Sequence, residues 1–206
     1  MKVLLINGGP HETGATFTAL SEVASALEEQ GVATNILWLG NAPIGGCTAC
    51  NACKALGLCA RNDIVNDVIA HLSEYDGFVF GSPVHYAAAS GTLSSFMARL
   101  FFSSAKLLRH KPAAAVVSCR RGGASAAFDE INKYFTISEM PVVSSNYWNQ
   151  IHGRNAEEAR RDEEGLQTMR ILGTNMAYLL RCIDAGRAAG LQDPAPLTKI
   201  QTNYIR

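Results

Sequence analysis

The chain has 206 residues, of which 48% are hydrophobic and 17% charged, and its 18 basic and 18 acidic residues leave no net charge. This length and balance are typical of one globular domain with a full apolar core. The lack of a basic excess argues against nucleic acid as the main partner, and no apolar run is long enough to predict a membrane span. Because strand-like residues follow Met1 and Lys2 directly, we expect no signal peptide and a cytoplasmic location.

Apolar runs and amphipathic segments alternate along the chain. Residues 2–7 predict a buried parallel strand, and residues 14–29 predict a helix with one apolar face that Gly31 ends. Further strands are expected at residues 33–39, 77–81, 112–118 and 140–144, and further helices at residues 64–74, 92–102, 125–135 and within 157–189. This alternation predicts an α/β fold with a doubly wound, five-stranded parallel sheet. We expect one domain over residues 1–206, with a cysteine-rich insertion at 41–63 and a tail at 192–206.

Residues 9–16 read Gly-Pro-His-Glu-Thr-Gly-Ala-Thr and follow the first strand. They nearly match a P-loop, but Ala15 stands where a nucleoside triphosphatase needs its lysine. Backbone N–H groups at a helix N-terminus and the Thr16 hydroxyl suit a single terminal phosphate instead. We therefore predict a monophosphate ligand, with flavin mononucleotide (FMN) as the main candidate. The residues expected to bind it here are Gly9, His11, Gly14, Ala15, Thr16 and Phe17.

Two more loops should lie beside this one, because ligands of doubly wound sheets bind beyond the carboxyl ends of the strands. We expect one wall of the flavin ring at Ser82, Pro83, Val84, His85 and Tyr86. We expect the other side at Ser118, Arg120, Arg121, Gly122 and Gly123. The glycines let the backbone approach the ring, and one of the arginines would meet negative charge on reduced flavin or on the 2′-phosphate of NADPH. The alternative is an ordinary loop with a solvated pair of charges.

Four cysteines, Cys47, Cys50, Cys53 and Cys59, have the spacing C-x2-C-x2-C-x5-C. Ferredoxins use closely similar spacing to hold iron–sulfur clusters, so we predict a [4Fe–4S] ligand set. A four-thiolate zinc site fits less well, because such sites usually combine two separated C-x2-C pairs. A loop that binds nothing is the third interpretation. The isolated Cys119 and Cys182 are expected to be small buried residues, with a redox role for Cys119 as the alternative.

The three loops together resemble the flavodoxin-like NAD(P)H-dependent FMN reductase superfamily over nearly the whole chain. Members commonly carry G-S-P-R-x-x-G-N-T, matched here by residues 8–16 with Gly9, His11 and Ala15 in place of Ser, Arg and Asn. They also carry G-S-P-V-Y-Y, matched by G-S-P-V-H-Y at residues 81–86. The cysteine loop is similar to that of iron–sulfur flavoproteins. The resemblance implies a homodimer or homotetramer with FMN near a subunit interface and the cysteine loop reaching toward a neighbouring flavin.

The resemblance implies an FMN-dependent oxidoreductase. It would accept hydride from transiently bound NAD(P)H and pass electrons to a quinone, a flavin, or another small-molecule or protein acceptor. No catalytic acid or base is expected, because the cofactor carries the chemistry. One alternative is an electron carrier with FMN and a [4Fe–4S] cluster that serves ferredoxin-like partners. A second is a ligand-binding module without turnover.

Overall fold

The computed structural model describes residues 1–198, 200–202 and 204 of the chain. Its strands are β1 (Lys2–Asn7), β2 (Ala33–Trp38), β3 (Gly77–His85), β4 (Ala88–Ala89), β5 (Ala113–Cys119) and β6 (Gln150–His152). Its helices are α1 (Ala15–Glu29), α2 (Cys53–Leu56), α3 (Ile64–His71), α4 (Gly91–Leu108), α5 (Ala124–Ile137), α6 (Ala156–Ala159) and α7 (Glu163–Ala188), and a short 3-10 turn at Leu72–Glu74 follows α3.

The sheet has the order β2-β1-β3-β5-β6, and all of these strands are parallel. The small strand β4 lies off this path and pairs antiparallel with the end of β3. Helices α1 and α7 pack on one face of the sheet, and α3, α4 and α5 pack on the other. The predicted doubly wound, flavodoxin-like sheet is thereby confirmed.

Side chains of β1 show how the sheet divides the core. Val3 and Leu5 point into the cluster under α1 and α7, whereas Leu4 and Ile6 point into the cluster under α3, α4 and α5. Both faces are apolar because helices cover both of them, as is usual for parallel sheets. The chain order reverses at β1, so the loops that follow β1 and β3 emerge side by side, and they position the site described below.

The predicted fifth strand at residues 140–144 is wrong. This segment makes one parallel bridge, between Val142 and Ala113, and the chain then leaves the sheet. It returns at β6, which pairs with residues 117–119 of β5. Buried Asn149 ends the excursion, and its side-chain Nδ2 donates to the carbonyl oxygen of Ala115 at 3.0 Å. Two separate segments therefore pair with the same edge of β5. The apolar pattern of the sequence does not show which of them forms the strand.

Two other boundaries differ from the expectations. Strand β3 continues four residues beyond the predicted end at Gly81, because Ser82 and Pro83 still pair with β5 and the next two residues pair with β4, which folds back as a hairpin. The helical stretch predicted within residues 157–189 is split into α6 and α7, and the Asp162 side chain caps the start of α7 by accepting from the Gly165 N–H at 3.0 Å. Within the described ranges, no helix is long and apolar enough to span a lipid bilayer.

Candidate functional site

Three loops meet at the carboxyl ends of the parallel strands, and we call the space between them the strand-end cleft. The first loop comprises residues 8–16, from the end of β1 into the first turn of α1. The second comprises residues 81–90, at the end of β3 and around the β3–β4 hairpin, and the third comprises residues 118–123, at and after the end of β5. Each of the three contains residues that the sequence predicts to bind a cofactor. Direct contacts join all three loops.

The first and second loops are joined through backbone groups and serine hydroxyls. The Gly8 N–H donates to the carbonyl oxygen of Gly81 at 2.9 Å, and the Ser90 hydroxyl donates to the carbonyl oxygen of Gly8 at 2.7 Å. The Ser90 N–H in turn donates to Ser82 Oγ at 2.8 Å. Ser82 and Ser90 are both buried. These bonds fix the relative positions of the two loops without using a charged group.

The third loop is joined to both of the others. Thr16 Oγ1 and Ser118 Oγ lie 2.8 Å apart, and both residues are buried. Gly123 lies against the second loop, where an added Cβ would come 2.8 Å from Ala87 Cα and 2.9 Å from Val84 Cγ1. Only glycine fits this close approach, since its φ of +91° is also costly for other residues. The sequence predicts that these three loops lie side by side, and the structure brings them together.

Asn7 organises the first loop, and sequence reasoning missed it. Its buried side chain accepts from the Gly9 N–H at 2.9 Å and donates to the Glu12 carbonyl oxygen at 3.1 Å. The indole N–H of Trp38 donates to the Gly9 carbonyl oxygen at 2.8 Å from the neighbouring strand. A buried polar residue that ends an apolar strand must find partners, and this was the available signal.

The N-terminus of α1 opens onto the first loop. Its N-cap is Gly14, no side chain caps it, and its first turn carries no acidic residue. A helix of 15 residues carries partial positive charge at this end, which favours an anion. Ala15 and Phe17 are half-buried, and His11 is exposed at the rim. The predicted phosphate-binding residues are therefore grouped around a helix N-terminus.

The second loop carries a strained hairpin turn. Tyr86 and Ala87 have φ of 51° and 59°, and they form the two-residue turn between β3 and β4. Such a turn normally uses glycine or asparagine, so two other residues here store strain of the kind found at functional sites. The Tyr86 ring is fully exposed and His85 is also exposed, while Pro83 and Val84 are half-buried. The aromatic ring thus stands free at the rim of the cleft.

Arg120, Arg121 and Gly122 of the third loop are exposed at its mouth. Cys119 just before them is buried, as expected, and burial raises the pKa of its thiol, with nearby Asp162 adding to the effect. The expectation of burial for Cys182 is wrong, because this cysteine lies on the exposed face of α7. Periodicity placed the residue on a helix but not on the correct face.

The four clustered cysteines border one open cavity. Cys47 and Cys50 are exposed, whereas Cys53 and Cys59 are half-buried. Among the described residues, no three or more His, Cys, Asp or Glu side chains are close enough to hold a single metal ion. The four thiols therefore border a shared cavity and do not converge on the position of a single metal ion. Soft thiolate donors around such a volume fit a cluster of several irons.

Two arginines give the cysteine cavity a positive wall. Arg61 and Arg99 line it together with the thiols. Partial burial opposes ionisation of the Cys59 thiol, but hydrogen bonds from the Arg61 backbone and the Arg99 guanidinium outweigh it, and the positive charge of Arg99 adds to them, so the pKa of Cys59 is lowered. A thiolate is the form that ligates metals, so the wall favours ligation at Cys59.

A flavodoxin-like sheet whose strand-end loops converge on a helix N-terminus defines a class of flavin-binding proteins. The comparison with protein families is consistent with this: NADPH-dependent FMN reductases match residues 1–154. The chain belongs to this family and is an FMN-dependent oxidoreductase.

Curated relatives match over most of the chain. The chain is 32% identical over 195 residues to an iron–sulfur flavoprotein of Methanocaldococcus jannaschii, covering 89% of this chain and 99% of the relative. It is 24% identical over 191 residues to an iron–sulfur flavoprotein of Methanosarcina thermophila, covering 91% of this chain and 99% of the relative.

Solved structures support the fold. RosB, whose crystal structure contains 8-demethyl-8-formylriboflavin-5′-phosphate, aligns with a TM-score of 0.68 at 13% identity over 100% of this chain and 92% of its own. A flavodoxin from the domain Archaea aligns with a TM-score of 0.59 at 16% identity over 88% of this chain and 99% of its own. At this level of identity the likeness concerns architecture alone.

Proposed function

We propose that the strand-end cleft binds FMN, that NAD(P)H reduces it there, and that the electrons pass to a small-molecule or protein acceptor. The observation that carries this proposal is the convergence of the three loops, which the Thr16–Ser118 and Gly8–Gly81 contacts hold together. Family membership supports the same conclusion independently. When bound, FMN accepts a hydride at its ring and passes electrons on in one or two steps.

The phosphate of FMN would lie at the first loop. Gly9, His11, Gly14, Ala15, Thr16 and Phe17 surround the N-terminus of α1. Backbone N–H groups of the first turn would donate to the phosphate, and the positive end of the helix would stabilise its charge. Gly9 has room for no side chain, since a Cβ there would come 2.9 Å from Asn7 Oδ1 and 3.2 Å from Thr16 Oγ1. The phosphate would thus meet backbone at close range.

The flavin ring would lie between the second and third loops. Ser82, Pro83, Val84, His85 and Tyr86 would form one side, and Ser118, Arg120, Arg121, Gly122 and Gly123 the other. The exposed Tyr86 ring would cover bound nicotinamide or flavin by stacking. Arg120 and Arg121 at the mouth would attract the anionic cofactor and its anionic reductant.

The phosphate assignment is tested by Thr16→Val, which removes the hydroxyl and keeps the shape of the side chain. We expect FMN to bind about 10- to 100-fold more weakly, as for loss of one hydrogen bond to a charged group. Thr18→Val is the matched control, because Thr18 Oγ1 donates to the Gly14 carbonyl oxygen at 3.2 Å on the same helix. Because Thr16→Val also removes the Thr16–Ser118 contact, Ser118→Ala is the second control. A loss in either control equal to that in Thr16→Val would argue for a local structural defect and against a phosphate contact.

The reductase assignment is tested by anaerobic mixing of the FMN-loaded protein with NADPH or NADH. Bleaching of the oxidised flavin absorbance on a time scale of seconds or faster is the expected result, followed by reoxidation on addition of a quinone or free flavin. Failure of both nucleotides to reduce the flavin, while dithionite reduces it, would remove the hydride step and leave FMN binding intact.

We also propose that the cysteine loop holds a [4Fe–4S] cluster, with Cys47, Cys50, Cys53 and Cys59 as ligands. The shared cavity of the four thiols and the two arginines beside it support this. The cluster would supply one-electron transfer. The same observation favours a second function, an electron carrier that serves ferredoxin-like partners and accepts hydride poorly. Slow reduction by both nucleotides together with fast reduction by reduced ferredoxin would select this second function.

We further propose that the protein forms a homo-oligomer, either a dimer or a tetramer. Tyr147 and Trp148 lie in the irregular segment before β6, and both side chains are about half exposed. Their rings contact one another at 4.8 Å between centroids, which forms an aromatic patch suited to an interface. We infer that residues 1–206 act as one domain in each subunit, with residues 41–63 as the cysteine-rich insertion and 192–206 as a tail. Light scattering of the FMN-loaded protein would measure the assembly.

A further inference from the structure

Arg99 is a charged side chain in an almost fully buried position. It lies on α4, is 2% exposed, and is among the largest fully buried side chains of the protein. Burial of a charge is costly unless the group is paired and its hydrogen-bonding capacity is satisfied. The flavin cleft described above makes no use of this residue. Its contacts lie at the cysteine cavity.

All five N–H groups of the Arg99 guanidinium have acceptors, and all of these belong to residues 45–63. Nε donates to Cys59 Sγ at 3.2 Å. Nη1 donates to Asp63 Oδ2 at 2.5 Å and to the Gly45 carbonyl oxygen at 3.4 Å. Nη2 donates to Asp63 Oδ1 and to the Arg61 carbonyl oxygen, both at 2.9 Å. One side chain thus ties both ends of the cysteine loop to α4.

Cys59 is also held from its other side, by Asn66 on α3. The Asn66 Oδ1 accepts from the Cys59 N–H at 3.0 Å, and its Nδ2 donates to the Cys59 carbonyl oxygen at 2.9 Å. Cys47, in contrast, is exposed, and its sulfur accepts from the N–H of Ala49 within the same loop at 3.4 Å. Cys59 is therefore fixed to two helices, while the hydrogen bond to Cys47 comes from within its own loop.

Asp63 completes the arrangement. Its carboxylate forms a bidentate ion pair with Arg99, and it also caps α3 by accepting from the Val65 N–H at 3.1 Å. The pair places the positive Arg99 guanidinium in contact with the Cys59 sulfur, and the negative Asp63 carboxylate in contact with that guanidinium. Hydrogen bonds to the sulfurs and the net charge nearby are the levers that set the potential of an iron–sulfur cluster.

We propose that Arg99 is a positioning residue of the iron–sulfur site, which anchors Cys59 as the fixed ligand and raises the reduction potential of the cluster by donating to its sulfur. This inference rests on the proposed cluster. The competing explanation is that Arg99 only orders the cysteine loop and leaves the electrons of the sulfur unaffected. The two explanations differ in what they predict for the reduction potential of the cluster, since a purely structural role would not change it.

Two variants separate these explanations. Arg99→Lys keeps a positive charge but loses the Nε–H and the paired geometry with Asp63. Asp63→Asn keeps the helix cap and an acceptor for Arg99 but removes the negative charge. Arg109→Lys is the matched control, because Arg109 forms an ion pair with Glu139 at 2.7 Å at the other end of α4. All proteins are purified anaerobically and reconstituted with iron and sulfide.

Three quantities are measured: FMN per chain, the rate of iron loss to a chelator, and the midpoint potential of the cluster. We expect Arg99→Lys to lose iron about 10- to 100-fold faster, the range for loss of a partner that orients a metal ligand. We expect its cluster potential to fall, and that of Asp63→Asn to rise. Arg109→Lys should match the wild type, and FMN content should be unchanged throughout.

Opposite shifts of the potential in the two variants support the proposal. If Arg99→Lys takes up no iron while it retains FMN, the potential of Asp63→Asn decides: a rise supports the proposal, and a wild-type value overturns it. Wild-type iron retention and potential in Arg99→Lys overturn the inference and leave the proposed cluster standing. A wild-type protein that takes up no iron overturns both the inference and the proposed cluster, while the proposed FMN site is unaffected.

Discussion

The strand-end cleft and the cysteine loop are built in different ways. The cleft is formed by loops that leave rigid parallel strands, and neutral groups such as Asn7, Ser90 and the backbone hold it together. The cysteine loop lies outside the sheet and is tied to the fold by the buried guanidinium of Arg99 and by the Asn66 side chain of α3. The cleft is thus a consequence of the topology, whereas the position of the cysteine loop depends on a few polar and charged side chains. Substitutions should therefore affect the two regions independently.

The largest expected effect is at the cysteines. Cys59→Ser should abolish iron binding in the reconstituted protein and leave FMN per chain unchanged, because the loop and the cleft share no contact that depends on this thiol. Cys182→Ser is the control, since Cys182 lies exposed on α7. Iron, sulfide and FMN assays on one sample measure the effect. Loss of FMN in Cys59→Ser would show that the two regions are coupled.

A large effect on the cleft is expected from Gly123→Ala. The added Cβ would meet Ala87 Cα at 2.8 Å and would occupy a φ of +91°. We expect a loss of about 3 kcal/mol in the free energy of unfolding and weaker FMN binding. Gly122→Ala meets nothing within 4 Å and should change stability by less than about 0.5 kcal/mol. Urea denaturation and FMN titration would measure both, and equal stabilities would contradict the described approach of the two loops.

An intermediate effect is expected from Asn7→Leu. This change leaves the buried Gly9 N–H without its acceptor, at a cost of about 2 kcal/mol, and it should also weaken FMN binding. Asn35→Leu on β2 is the matched control, because Asn35 Nδ2 donates to Tyr75 Oη at 3.0 Å, away from the cleft. Iron retention should be normal in both variants. If Asn35→Leu weakened FMN binding equally, Asn7 would have no special role in the first loop.

The smallest expected effect is a gain in stability at the strained turn. Ala87 has a φ of 59°, so Ala87→Gly should stabilise the fold by about 1 kcal/mol through relief of strain. Ala88→Gly, in the neighbouring β4, should instead destabilise it by roughly 0.5–1 kcal/mol. The midpoints of thermal unfolding would show the opposite signs. A loss of stability in Ala87→Gly would refute the assignment of strain to this turn.

Sequence reasoning reached most of the fold and the location of the cleft. Parallel strands read as apolar runs, and Gly-rich strand ends such as Gly8-Gly9 and Gly122-Gly123 stand out because only glycine permits close backbone approach. It failed at residues 140–144, where the apolar run pairs with β5 at one bridge only, since patterning does not specify register with a partner strand.

The contacts that hold the site could not be predicted in the same way. Arg99 acts through partners that lie far away in the sequence, such as Cys59 at a separation of 40 residues. The partners of Asn7, Gly9 and Glu12, are local, but the sequence does not show that its side chain turns toward them. Arg99 lies in an otherwise apolar stripe of α4 with Phe96 and Leu100, where a charge gives no local sign of its partner. Spacing revealed the cysteines as a group, but only the structure distinguishes anchored Cys59 from exposed Cys47.

The most direct test of the account is one anaerobic preparation assayed for visible spectrum, FMN, iron and sulfide. We predict flavin absorbance with a broad shoulder, one FMN per chain and about four irons per chain, as for a four-cysteine cubane. Flavin without iron after reconstitution would contradict the account of the cysteine loop. A protein that binds no FMN at micromolar concentration would contradict the account of the strand-end cleft.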